Sequence, residues 1–129
     1  MKISTKGRYA LRMMVDIAQQ GRECPVALRE IAQRQGISVK YLEQIAAVLT
    51  RAGYLKSVRG AQGGYILTRE PKEYTAGEIL RLTEGNLAPV ECLEAEKNLC
   101  PRAEHCTTLR LWEELNQAVR QGVDGRTLE

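Results

Sequence analysis

Apolar positions in the first third of the chain recur with the period of an α-helix. Intervals of three and four residues predict a first helix over residues 6–20, which Gly21 ends. The apolar residues that set this period are Ala10, Met13, Met14, Ile17 and Ala18. A second, shorter helix is expected after Pro25, and it stops near Gly36. Each helix therefore has one apolar face that can contribute to a core.

The third helix follows almost at once and has a clear start signal. Ser38 can cap the free amides of the first turn, and Ile37 before it can pack on Leu42 as a hydrophobic staple. The face predicted to be buried carries Leu42, Ile45, Ala46 and Leu49. The opposite, polar face presents Lys40, Tyr41, Glu43, Gln44 and Ala47. Two helices joined by a short turn with Gly36 have helix-turn-helix spacing, and the polar face suits contacts to bases and phosphates.

Two short strands are predicted after the third helix, over residues 54–58 and 65–68, because both are rich in aromatic and β-branched residues. The intervening residues 59–64 include three glycines, so this hairpin tip can lie close against DNA. Arg59 at its base can enter a minor groove or bind phosphate. A flexible turn is the simpler interpretation, but the preceding helix-turn-helix favours a DNA-binding wing.

The pattern after the hairpin predicts two more helices separated by a loop. A capping box from Thr75 to Glu78 starts a fourth helix that runs to about Glu84. Residues 86–104 show no sustained period and are expected to form a loop. A fifth helix from about Thr107 has a wide apolar stripe. This stripe consists of Leu111, Trp112, Leu115, Ala118 and Val119.

The apolar stripe of the fifth helix must be buried somewhere. A second copy of the chain is the expected cover, because recognition helices usually act in pairs on two half-sites. Folding back onto its own domain is the alternative, and the tail over residues 122–129 is expected to be frayed. The predicted fold is mainly α with a small β-hairpin wing. It divides into a winged helix-turn-helix domain (1–85), a cysteine-bearing loop (86–106) and a dimerisation helix with its tail (107–129).

The two halves of the chain differ in charge. Residues 1–69 contain 12 Lys and Arg against 4 Asp and Glu, whereas residues 70–129 contain 7 against 12. A basic half attracts phosphate groups. The chain has no Phe and one Trp, which argues against single-strand binding on stacked aromatic rings and favours duplex DNA.

No segment predicts export or membrane insertion. The N-terminus lacks the apolar core of a signal peptide, and no apolar run reaches the roughly 18 residues of a membrane span. We therefore expect a cytoplasmic protein with no membrane partner.

Three of the four cysteines are clustered, with the spacing C-x7-C-x5-C at Cys92, Cys100 and Cys106. In a reducing compartment such a cluster indicates metal ligands or redox-active thiols rather than disulfides. Structural zinc is disfavoured, because the paired C-x2-to-4-C spacing of zinc sites is missing. Cys24 stands apart and is expected to be an ordinary, partly buried cysteine.

Three segments carry a resemblance to a known family: MKISTKGRYALR at the start, ISVKYLEQ from Ile37 to Gln44, and SVRGAQGGYIL from Ser57 to Leu67. The whole chain resembles the winged-helix regulators of the IscR, NsrR and CymR family, and the cysteines make it most similar to the cluster-bearing IscR type. The resemblance implies a homodimeric transcription regulator or repressor, not an enzyme, that binds a double-stranded DNA operator and no small-molecule substrate. The recognition helix enters the major groove, and the wing enters the adjacent minor groove.

The resemblance also assigns site residues. Those expected to face DNA are Ser38, Lys40, Tyr41, Glu43 and Gln44 in the recognition helix, and Arg59 and Gly60 in the wing. The matching Glu in IscR-type members is implicated in discrimination between operator classes. A carboxylate can accept from cytosine N4 and repels phosphate elsewhere, so Glu43 is expected to select among operators. The residues expected to form the dimer seam are Leu111, Trp112, Leu115 and Val119.

Cluster-bearing relatives hold an iron–sulfur cluster on three cysteines and one further ligand. The resemblance therefore implies a 2Fe–2S cluster, with 4Fe–4S as the alternative, on Cys92, Cys100 and Cys106. Its role would lie in iron–sulfur homeostasis or in a response to redox state or nitric oxide. Alternatives are a regulator that responds through its thiols or a protein partner, as in CymR-type members without these cysteines, and an iron–sulfur electron carrier.

The fourth ligand is where this sequence departs from the family. IscR-type proteins have a His three residues after the last Cys, where this chain has Leu109, and NsrR-type proteins use an acidic residue of the partner subunit where this chain has Arg8. The first cysteine interval is also longer than usual. His105, the only histidine, is the first candidate. The other candidates are Glu94, Glu96, Glu104, an exogenous thiol and a residue of the partner subunit.

Overall fold

Helix α1 (Thr5–Gln19) forms within one residue of its predicted limits. The hydroxyl of Ser4 caps it by accepting a hydrogen bond from the amide of Gly7 at 3.3 Å. The inner face of α1 is fully buried at Ala10, Met13 and Met14. The coordinates are a computed structural model, and the residues described are 2–95, 97–98 and 100–129.

Helices α2 (Leu28–Gln35) and α3 (Val39–Arg51) form the predicted helix-turn-helix. Gly36 ends α2 with a φ of 66°, a conformation that glycine adopts without strain. Ser38 then caps α3, because its hydroxyl accepts from the amide of Tyr41 at 3.1 Å. The four residues predicted to face the core are all fully buried: Leu42, Ile45, Ala46 and Leu49.

A buried carboxylate joins α1 to α2. The side chain of Asp16 is only 2% exposed, and it accepts hydrogen bonds from the Arg34 guanidinium at 2.7 to 3.2 Å and from the Gln35 amide at 3.0 Å. A buried charge requires such partners, so this contact fixes the position of α2 on α1.

The wing consists of strands β1 (Leu55–Val58) and β2 (Gly64–Leu67), paired antiparallel. Val26 pairs with Tyr65 of β2 through two backbone hydrogen bonds of 2.9 Å. The sequence did not predict this additional pairing at the edge of the wing. Gly64, with a φ of 156°, lies so close to Val26 that a β-carbon there would overlap the Val26 carbonyl. The root of the wing is therefore attached to the segment before α2.

Helix α4 (Ala76–Glu84) starts at the predicted capping box. The amide of Glu78 donates to the Thr75 hydroxyl, and the amide of Thr75 donates to the Glu78 carboxylate, both at 3.1 Å. At its other end, the Glu84 carboxylate accepts from the amide of Ser4 at 3.1 Å and from the Ser4 hydroxyl. The end of α4 is thus bonded to the start of α1.

The segment between α4 and the last helix is mainly loop, as predicted, with two short 3-10 turns at Glu91–Leu93 and Ala103–His105. Helix α5 (Leu109–Asp124) follows, and it starts two residues later than expected. None of its residues is buried, and Leu111 and Leu115 are 55% and 39% exposed. Within the described part of the chain, no helix is both long and apolar enough to span a bilayer.

The prediction of a frayed tail is wrong. Asp124 makes a bidentate ion pair with Arg81 of α4 at 2.6 and 3.0 Å. The backbone of the tail then pairs with the start of α4 through Thr75 and Thr127, and Leu128 is only 8% exposed. The tail is ordered because a core site distant in sequence accepts its last apolar residue.

Candidate nucleic-acid interface and cysteine pocket

The outward face of α3 presents the side chains that the sequence assigned to DNA contact. Ser38, Lys40, Glu43 and Gln44 are all exposed. Tyr41 is half-buried, because its ring packs edge-on against Tyr9 of α1 with the centroids 5.6 Å apart. This aromatic contact fixes the recognition helix against α1.

A groove runs between the start of α1 and this face of α3. It has a volume of about 660 Å³. The residues described as lining it are Lys6, Ser38, Lys40, Tyr41, Gln44, Ala47, Val48 and Arg51. Four of these were predicted from the sequence to contact DNA, and Lys6 and Arg51 were not among the predicted residues. The sequence does not show which face of α1 meets α3, so their proximity was not predictable.

The wing tip is exposed at Arg59 and Gly60. Gly60 has a φ of 113°, and its carbonyl accepts from the amide of Gly63 at 3.0 Å, which closes a tight turn. A β-carbon on Gly63 would overlap the carbonyl of Val58. Both glycines are therefore needed for the shape of the tip, whatever it contacts.

All three clustered cysteines line one pocket of about 730 Å³ beside α5. The lining residues are Val90, Glu91, Cys92, Glu94, Ala95, Lys97, Cys100, Pro101, Cys106 and Trp112. The four cysteines of the chain are free thiols. Glu91 is a pocket carboxylate that the sequence did not single out, although it directly precedes Cys92.

The candidates for a fourth ligand are unevenly placed. Glu94 lines the cysteine pocket, whereas His105 is exposed and lines a neighbouring hollow with Cys100 and Cys106. Glu104 is exposed and lines neither, and Glu96 lies outside the described residues. Among the described residues, no three His, Cys, Asp or Glu side chains converge on one metal position.

Cys106 is connected to α5 through Thr108. Its sulfur lies 3.5 Å from the Thr108 hydroxyl, which also accepts a 3.2 Å hydrogen bond from the Trp112 indole. Hydrogen bonding from the Thr108 side chain, then from its backbone, lowers the pKa of the Cys106 thiol. Thr108 precedes α5 without capping it through its side chain, so its hydroxyl serves this contact instead.

Cys24 differs from its expected state. It is exposed rather than partly buried, because it lies in the irregular segment between α1 and Val26, outside the core.

The helix-turn-helix, the hairpin beside it and the polar outer face of α3 define the class of this protein: a winged-helix transcription regulator. The chain belongs to the Rrf2 family, since residues 3–129 match that family, which is described as "Iron-dependent Transcriptional regulator".

Three relatives show how far the similarity extends. Protein rrf2 of Nitratidesulfovibrio vulgaris is 45% identical over 128 residues, covering 99% of this chain and 85% of the relative. CymR of Bacillus subtilis is 45% identical over 129 residues, covering 100% and 88%. The solved structure of this CymR, the global cysteine regulator, matches with a TM-score of 0.83 at 44% identity over 99% of this chain and 93% of that one. The structure of T. potens IscR gives a TM-score of 0.77 at 43% identity, covering 99% and 83%.

These relatives confirm the expected fold and the expectation of a regulator rather than an enzyme. CymR of Bacillus subtilis is named as a transcriptional regulator of the helix-turn-helix type. Because the chain resembles proteins named IscR and CymR alike, the choice between a cluster-bearing and a cluster-free regulator depends on the cysteine pocket.

Proposed function

We propose that the chain is a homodimeric, operator-binding regulator, acting in the cytoplasm, whose DNA binding responds to an iron–sulfur cluster held by Cys92, Cys100 and Cys106. The observation that carries this proposal is that all three thiols line one pocket beside α5. In this proposal residues 1–85 bind DNA, residues 86–106 hold the cluster and residues 107–129 mediate dimerisation.

The donor set fits such a cluster. Soft thiolates are the usual ligands of iron–sulfur clusters, and three of them leave one position for a weaker or exchangeable ligand. Glu91 and Glu94 line the pocket and are candidates for that position, together with His105 in the neighbouring hollow. The described side chains do not converge on one point, so the three thiols would have to draw together to hold a cluster. We propose 2Fe–2S, with 4Fe–4S as the alternative.

The residues around Cys106 provide a route from the pocket to the dimer seam. When bound, the cluster supplies a centre sensitive to redox state, nitric oxide or cluster supply. Cys106 would be one of its ligands, and Thr108 links that ligand to the first turn of α5, because its hydroxyl contacts the Cys106 sulfur and accepts a hydrogen bond from the Trp112 indole. The exposed Leu111 and Leu115 lie on the same helix. A shift of α5 would therefore change the relative orientation of the two DNA-binding domains in the dimer.

A second candidate is a regulator whose thiols give the signal without a metal. Two observations favour it: the cysteines are free thiols without a converging ligand set among the described residues, and the pKa of Cys106 is lowered. A lower pKa increases the fraction of reactive thiolate. The similarity to CymR is compatible with this candidate.

Anaerobic purification with iron and sulfide analysis separates the two candidates. We expect bound iron and sulfide in the wild type and in Cys24→Ala, the matched control, and neither in the triple variant Cys92→Ala, Cys100→Ala, Cys106→Ala. DNA affinity of the triple variant should differ from that of the cluster-loaded protein. A protein that binds neither iron nor sulfide, and a triple variant with unchanged DNA affinity, would rule out the cluster. The second candidate would be supported if the protein binds no metal and its DNA affinity changes with oxidant. The triple variant should then lose this dependence on oxidant.

A further inference from the structure

The groove between α1 and α3 is a basic surface that includes two cations outside the set of residues assigned to base reading, Lys6 and Arg51. Its lining includes the cations Lys6, Lys40 and Arg51, and none of the eight residues described as lining it is acidic. Such a surface attracts phosphate, and phosphate contacts position a protein on DNA without reading sequence.

The length of α3 separates base contacts near its start from phosphate contacts at its end. Arg51 ends the helix, eleven residues after Lys40, which is a distance of roughly 16 Å at the helical rise of 1.5 Å per residue. The major groove of B-DNA is about 12 Å wide. When the first two turns of α3 face base edges, we expect Arg51 at the far end of the helix to reach the phosphate backbone.

Lys6 reaches the same groove from α1, and its position is fixed by two contacts. It lies one turn before Tyr9, whose ring packs on Tyr41 of α3 with a centroid distance of 5.6 Å. The start of α1 is bonded to Glu84 through the amide and hydroxyl of Ser4. Because this carboxylate already occupies the end of the helix, a phosphate would be bound by the Lys6 side chain and not by the free amides of α1.

Neither cation is used to stabilise the fold. Lys6 and Arg51 take part in none of the ion pairs found among the described residues. Within the described part of the chain, the Arg51 side chain donates only to the carbonyl of Ala47 on its own helix, at 3.3 Å. Their charges are available to a ligand.

We propose that Lys6 and Arg51 bind the phosphate backbone of the operator duplex beside the base-reading face of α3. This proposal rests on the proposed function as a DNA-binding regulator. The two residues set the affinity and the salt dependence of binding, whereas sequence preference is set elsewhere on α3 and in the wing.

The test measures the affinity of the full-length protein for two fluorescent duplexes as a function of salt. One duplex is enriched from a randomised pool by the wild type, and the other is a scrambled duplex of equal length. Lys6→Gln and Arg51→Gln should each weaken binding to both duplexes by a similar factor, about threefold to tenfold. Each should also reduce the slope of log affinity against log salt by about 1. Lys6→Arg and Arg51→Lys keep the charge and should keep the slope.

The matched control is Arg110→Gln on α5, which removes one charge from a side chain that is 91% exposed. It should leave both affinity and slope near the wild-type values. An unchanged slope in both groove variants, or an equal change in Arg110→Gln, overturns the proposal. A wild type that enriches no duplex from the pool would instead contradict the proposed function, so the two failures are distinguishable. Circular dichroism and light scattering confirm that each variant is folded and has the wild-type oligomeric state.

Discussion

The hydroxyl of Tyr74 joins the wing to the helix that follows it. Tyr74 is fully buried, and its hydroxyl accepts from the amides of Thr68 and Arg69 at 3.0 and 3.1 Å and donates to the Tyr54 carbonyl at 2.8 Å. Tyr74→Phe should lower the free energy of unfolding by about 1–3 kcal/mol, because buried backbone groups lose their partner. Urea denaturation measures this. Tyr65→Phe, on half-buried Tyr65, is the control and should change stability by less than about 0.5 kcal/mol; equal losses would contradict the assignment.

The Asp16 carboxylate makes stability depend on pH. Burial acts to raise its pKa, but hydrogen bonds from Arg34 and Gln35 outweigh this, so its pKa in the folded protein lies below the ordinary 3.8. A lowered folded-state pKa means that the contribution to stability is complete above the pKa of the unfolded chain. It is lost as the pH falls through the lower pKa of the folded state.

Asp16→Asn should therefore lower the free energy of unfolding at pH 7 by about 1–3 kcal/mol, a value reduced by the partial exposure of Arg34. The difference from the wild type should shrink when urea denaturation is repeated from pH 5 down to pH 3. Asp124→Asn is the control, since its ion pair with Arg81 is 38–43% exposed and is expected to contribute less than about 1 kcal/mol. A difference for Asp16→Asn that stays constant with pH would contradict the role of the ionised carboxylate.

At the scale of elements, α5 has an apolar face that the described residues leave partly uncovered. Leu115 is 39% exposed in the middle of this face. Leu115→Asp should convert dimers to monomers, measured by light scattering, because a charge in a buried seam is costly. Gln117→Asp, on the opposite side of the helix, adds the same charge and should leave the dimer intact. If Leu115→Asp remains dimeric, the seam lies elsewhere.

The elements also show which local signals were sufficient for prediction. Ser38 and the capping box of Thr75 and Glu78 act within one turn of a helix, so the sequence predicted both starts correctly. The tail is held by residues far back in the chain: Arg81 lies 43 residues before its partner Asp124, and Thr75 pairs with Thr127. A contact at that separation leaves no local pattern, and the tail was therefore wrongly expected to be frayed.

At the scale of the whole molecule, the proposed function requires the wing and α3 to act together on one duplex. Arg59 is exposed at the base of the wing tip. Arg59→Ala should weaken operator binding by about 1–3 kcal/mol, as expected for a groove contact. Fluorescence anisotropy with the enriched duplex measures this, and Arg110→Ala on α5 is the control. If Arg59→Ala binds the operator with wild-type affinity, the wing is not part of the DNA interface.

Glu43 is expected to act on selectivity rather than on affinity. Its carboxylate is exposed on α3 and can accept a hydrogen bond from cytosine, whereas it repels nearby phosphates. Glu43→Ala should therefore broaden the set of duplexes enriched from a randomised pool while lowering affinity little. Glu43→Gln keeps the size of the side chain without its charge and tests whether charge is the cause. If Glu43→Ala enriches the same set of duplexes as the wild type, Glu43 has no role in selectivity.

The candidate site was predicted unevenly from the sequence. The spacing of Cys92, Cys100 and Cys106 indicated a shared site, and the structure places all three on one pocket. The presence of Glu91 in that pocket and the placement of His105 in a neighbouring hollow depend on how the loop folds against α5. An irregular loop has no period, so its side-chain directions were not predictable.

The sequence by itself determined the helices, their caps, the hairpin and the polar face of α3, because periodicity, capping and glycine turns act over a few residues. Only the tertiary structure decided which faces meet. It brought Lys6 and Arg51 to one groove, bonded Ser4 to Glu84 across 80 residues and docked Leu128 in the core. These arrangements depend on packing between segments that are distant in the chain, and the shape of the whole core selects one such packing from many that the local patterns allow.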